Sequence, residues 1–106
     1  MAKRLLPLEY LEGRVRGAFV EPGVREEDLD HVSQGAKYAY DLVVVLQETP
    51  DRDANAYIRL ALLKDPPAPL VGGFVHALKQ LGKYSLWTAY LDDQRKRLTE
   101  PPSNNL

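Results

Sequence analysis

Apolar residues fall at Leu29, Val32, Ala36, Ala39, Val43 and Leu46, spaced three, four, three, four and three apart. That spacing is the face of a helix, not the alternation of a strand. It predicts a helix over Val24–Glu48, about 35 Å long at 1.5 Å per residue. Glu26, Glu27, Asp28 and Asp30 fall in its first turns, where unpaired N–H groups and the macrodipole favour negative charge. Pro22-Gly23 marks the turn before it. Beyond Ala39 the polar face vanishes: Tyr40, Leu42, Val43, Val44, Val45 and Leu46 are apolar or amphipathic. The second half therefore reads as a buried axle and the first as half-exposed. Val43-Val44-Val45 is β-branched and favours a strand. An α+β fold with a hairpin over residues 40–63 is therefore the alternative.

Four shorter helices follow from the same reading. Leu8, Leu11 and Val15 predict one over Pro7–Ala18, weakened by Gly13 and Gly17 at about 1 kcal/mol each relative to Ala, with an extended Arg14–Glu21 segment as the alternative. Thr49-Pro50-Asp51 looks like a helix start, with Thr as N-cap and Pro at the first helical position. That helix would run over Pro50–Lys64, with Ala54, Tyr57, Ile58, Ala61 and Leu62 inward. Asp65-Pro66-Pro67-Ala68-Pro69 stops it, because consecutive prolines cannot continue a helix. Pro69–Leu81 comes next, with Leu70, Phe74, Ala77, Leu78 and Leu81 inward and Gly72-Gly73 read as a close helix–helix approach. Gly82 caps it. Ser85 caps the last helix, Ser85–Leu98, whose Trp87, Leu91 and Leu98 share a face. The expectation is an all-α domain over residues 1–98: about five helices around a long central one. Met1–Arg4 reads as a loose basic start and residues 99–106 as a disordered tail.

Composition adds exclusions. The chain has 106 residues, 44% hydrophobic and 27% charged, with no cysteine. These are ordinary globular values without a disulfide framework or thiolate chemistry. No apolar run reaches the roughly 18 residues needed to span a bilayer, so a cytoplasmic location is the default expectation. Net charge is −1, but residues 1–20 carry +2, 21–53 carry −6 and 54–106 carry +3. That segregation reads first as solvated faces and dipole placement, and second as a drive to head-to-tail contact between copies.

No catalytic signature is present: no Gly-x-Ser-x-Gly, no P-loop, no Gly-x-Gly-x-x-Gly. His31 lies near Glu27 and Asp28, but a metal site would need further ligands such as His76 or Asp92 from elsewhere. No metal or cofactor is expected. His76 reads as a surface residue. Phe74–Asp93 has the outline of helix, glycine turn, helix, but Lys83 stands where a helix-turn-helix needs an apolar anchor.

Six tyrosines, against two phenylalanines and one tryptophan, read first as packing at the edges of the core and second as interface anchors. The candidate interaction residues are Ala36 and Ala39, small enough for a second helix to approach, and Tyr84, Trp87, Tyr90 and Arg95 on the last helix. The expected role is a non-enzymatic binding module: an adaptor, inhibitor or assembly subunit that self-associates or holds a protein partner. The alternative is a nucleotide-like or nucleic-acid ligand on tyrosines and basic residues.

Overall fold

The computed structural model describes residues 7–20, 23–63 and 65–99. Five helices follow one another: α1 Leu8–Val20, α2 Glu26–Glu48, α3 Ala54–Ala61, α4 Ala68–Gln80 and α5 Tyr84–Thr99. No strand occurs among the described residues, so the hairpin over 40–63 gives way to helix. The β-branching of Val43–Val45 costs a few tenths of a kcal/mol per residue. Burying Leu42 and Val43, both enclosed, gains about 1.5–3 kcal/mol each. Burial wins.

α2 is the centre, and its largest interface is with α4. The two helices meet backbone to backbone. A Cβ built at Gly35 would land on the Leu70 carbonyl oxygen and 2.7 Å from the Phe74 nitrogen. A Cβ at Gly73 would land on the Val32 carbonyl oxygen and 2.8 Å from its carbonyl carbon. The close approach expected at Gly72-Gly73 is therefore present, with Gly35 as its partner. Further along, Val43, Leu46 and Gln47 face Lys83 and Leu86 across a small cleft, so α2 and α4 run in the same sense.

α1 lies antiparallel to both. Its Leu11 and Val15 are fully buried. Arg16 ties it to α2, donating to the Leu29 carbonyl at 3.1 Å and the Ser33 hydroxyl at 2.8 Å. Phe19 lies over Gly72 of α4. On the other side α3 folds back on α2 through Ile58, and α5 returns along α3 and α4. The Cα atoms span 51 × 39 × 18 Å, a flat arrangement in which an edge helix is covered on one side only.

That flatness corrects the expected axle. Complete burial follows one stripe of α2, from Val32 through Ala36, Ala39 and Leu42 to Val43. Val44 to Gln47 are only half-buried. The helix ends are corrected too. Thr49 does not start α3; its carbonyl accepts the Arg52 N–H at 3.0 Å in a turn. Asp53 is the N-cap, accepting the Ala56 N–H at 3.2 Å. A carboxylate acceptor one turn later outcompetes the Thr-Pro signal, because it also favours the helix dipole. Asp53→Ala is expected to cost about 1 kcal/mol in urea denaturation; Asp53→Ser should restore most of it.

Ser85 lies inside α5, and its carbonyl accepts the Thr88 hydroxyl at 3.0 Å. Gly82 takes a φ of +72° after α4, as a C-terminal glycine should. Thr99 closes α5. The rest of the expected tail, the loose start at Met1–Arg4, and Pro22 lie outside the described residues.

Candidate functional site

The six residues marked by the sequence separate into two groups. Ala36 and Ala39 are 0% exposed, and the helix that comes close there is α4 of the same chain. They offer no surface to a second copy. Tyr84, Trp87, Tyr90 and Arg95 all lie on α5 but in different settings. Tyr90 is buried, Trp87 half-buried and Tyr84 exposed. The Trp87 ring stacks on Tyr90 with centroids 5.4 Å apart and meets Phe74 edge-on at 5.9 Å. Arg95 is exposed, 3.8 Å from Asp92.

The expected inward face of α5 is also corrected. Leu91 and Leu98 were expected beside Trp87, yet they are 42% and 86% exposed. Tyr90 takes the core position, with Leu86 and Trp87 beside it. α3 shows the same outward apolar display: Leu60 is 71% exposed, and Leu63 just beyond the helix is 57% exposed. Most large exposed apolar side chains among the described residues therefore sit on α3 and α5. The two helices are held together by polar groups. Arg59 lies 3.6 Å from Asp93, which Arg97 also reaches at 3.0 Å. The Arg59 Nη1 and Gln94 Oε1 atoms are buried without a hydrogen-bond partner, so this contact is imperfectly satisfied.

Beside this layer runs an open groove of about 410 Å³ lined by Tyr38, Arg52, Tyr57, Leu60 and Ala61. The Gln34 amide donates to the Tyr38 hydroxyl at 3.0 Å. Burial, and then the nearby Asp41 carboxylate and Tyr38, push the Tyr57 phenol above its usual 10.0. Tyr38 and Tyr57 were legible as tyrosines near apolar faces. Their pairing was not, because it depends on where α3 starts. A smaller cleft of about 120 Å³, lined by Val43, Leu46, Gln47, Lys83 and Leu86, lies at the far end of α2.

His76 is not the surface residue expected. It is half-buried on α4, with the Phe19 ring edge-on at 6.0 Å and the Gln80 amide nitrogen 3.3 Å from Nε2. Desolvation first, then Lys79 and Arg14, hold it below the usual 6.5. The unfolded chain then binds a proton that the folded chain resists. Stability should be highest above about pH 6.5 and fall as pH drops from there through the lowered folded value. His76→Gln should flatten that part of the stability curve, read as urea midpoints at several pH values.

Among the described residues no three His, Asp or Glu side chains gather closely enough to hold a metal ion. No helix among them is long and apolar enough to cross a membrane. Comparison with protein-family models, curated proteins and solved structures finds no match in any of the three. The surfaces themselves carry the functional argument.

Proposed function

We propose that the chain is a non-enzymatic binding module that docks on a protein partner through the α3–α5 layer. One observation carries this: Leu60, Leu63, Leu91 and Leu98 are exposed on or just beyond two adjoining helices, while Leu11, Leu29, Leu42, Leu70 and Leu78 of the other helices are buried. Large apolar side chains gathered on one layer mark an interaction surface. The neighbouring groove offers Tyr38, Tyr57 and Arg52, side chains enriched among energetic anchors.

A second copy of the chain is the first partner to test. Tyr84, Leu91 and Leu98, all exposed, recur every seven residues, the repeat of a two-helix seam. Native mass spectrometry on protein from its own host reads subunit number and retained partners together. Leu60→Glu and Leu91→Glu replace exposed side chains, so the fold should change by no more than about 0.5 kcal/mol. Loss of the assembly in both variants, with helicity and melting unchanged, is the expected result. A protein that stays monomeric, and whose host-protein crosslinks survive both substitutions, would defeat the reading.

A small planar ligand in the groove is the second reading, favoured by the Tyr38–Tyr57 pair. A retained small molecule in the same mass spectrum would favour it over the protein partner.

A further inference from the structure

The flank where α1 meets α4 carries charge of one sign. No Asp or Glu occurs between Asp65 and Asp92, so α4, the following turn and the first half of α5 have no carboxylate of their own. The same stretch holds His76, Lys79 and Lys83. α1 adds Arg14. It runs antiparallel to α4 with Phe19 beside Gly72 and His76, so Arg14 and Tyr10 lie level with the later turns of α4. The acidic residues of α1 point elsewhere: Glu9 and Glu12 are rotated more than about 100° from the Tyr10–Arg14 line at 3.6 residues per turn. Arg14 and Lys79 both act on His76, which places the two cations within reach of the same imidazole.

Each exposed tyrosine at this flank has a cation on its ring. The Arg14 guanidinium lies 5.7 Å from the Tyr10 centroid, and the Lys79 ammonium 4.9 Å from that of Tyr84. Tyr10 is 52% exposed and Tyr84 40%. A cationic face edged by accessible aromatic rings is what a single-stranded nucleic acid meets on its binders: cations take phosphates, and any base can stack on a ring. A duplex keeps its bases stacked internally and could not use the tyrosines. An acidic peptide would use the cations and leave the rings idle.

We propose that the α1–α4 flank binds a single-stranded nucleic acid, with Arg14 and Lys79 on its phosphates and Tyr10 and Tyr84 as stacking surfaces for its bases. This surface shares only Tyr84, at the start of α5, with the α3–α5 layer, and neither reading depends on the other.

Fluorescence anisotropy with a labelled oligothymidylate about 15 nucleotides long, ample for a site of 4–16 nucleotides, tests it. Two phosphate contacts predict a loss of roughly sevenfold in affinity between about 50 and 200 mM salt. Arg14→Glu and Lys79→Glu should each weaken binding about tenfold or more at low salt. Tyr10→Ala should weaken it about fivefold or more. All three positions are exposed, and circular dichroism and melting confirm the fold of each variant. Absence of binding at low salt overturns the proposal. So does affinity unchanged in the folded Arg14→Glu and Lys79→Glu proteins. Equal competition by polyglutamate, with Tyr10→Ala binding unimpaired, would assign the flank to an acidic protein instead and overturn it as well.

Discussion

Gly73→Ala should lose most of the stability of the fold. A methyl group at this position has no free space: it falls on the Val32 carbonyl oxygen and close to the Val32 Cα and carbonyl carbon. These are backbone atoms in the middle of α2, so no side chain can rotate away to make room. The helices must separate along their whole contact, and Val32, Ala36, Phe74 and Ala77, all fully buried, lose packing together. Overpacking of a tight core costs about 1–3 kcal/mol and occasionally more; a clash with backbone on the largest interface belongs at or above the top of that range. The better helix propensity of Ala returns only about 1 kcal/mol.

Gly35→Ala should behave in the same way, since its Cβ meets the Leu70 oxygen and the Phe74 nitrogen. Gly13 and Gly17 are the controls. Nothing lies within 4 Å of a Cβ at either, so Gly13→Ala and Gly17→Ala should each raise stability by about 0.5–1 kcal/mol. Thermal melts of the four variants give opposite signs for the same chemical change. A melting temperature for Gly73→Ala within a few degrees of the parent would refute the backbone contact.

Phe74→Ala is the second large effect, at about 3–5 kcal/mol. Phe74 is among the largest fully enclosed side chains. It stands next to the Gly35 crossing, and its ring meets Trp87. Truncation empties the point where α2, α4 and α5 come together, and the surrounding helices cannot collapse into the space while the glycine crossing holds them apart. At about 4–8 °C per kcal/mol for a domain of this size, melting should fall by at least about 12 °C. Trp87 is the only tryptophan, so its emission should shift red in the same variant as water reaches the indole. Phe74→Leu keeps most of the volume and should cost less than about 1.5 kcal/mol.

Much of this architecture was legible in the chain. The three-four seam of α2 survives as its buried stripe, and Gly72-Gly73 marked the close approach. Its partner was not legible, because Gly35 in a helical run says nothing about which backbone will lie against it. α5 was misread for a related reason. Trp87, Leu91 and Leu98 have the spacing of a core face, but spacing identifies an apolar stripe without saying whether the same chain covers it. In a flat molecule part of that stripe remains bare, and the exposed leucines are the residue of that mismatch. The start of α3 turned on two competing local signals, Thr49-Pro50 and Asp53, and the charged acceptor prevailed. The groove at Tyr38 and Tyr57 followed from that choice. The α1–α4 flank depended on bringing Arg14 beside residues far along the chain, which no local pattern encodes.

The crossing at which Gly35 lies against α4 and Gly73 against α2 also bears on descent. Each glycine is required by the backbone of the other's helix, so a change at either alone moves the chain towards unfolding. A lineage carrying this fold therefore inherits the two positions together, however freely its surfaces drift. A distant relative would be betrayed less by overall resemblance than by that pair of glycines, one on the long second helix and one on the fourth.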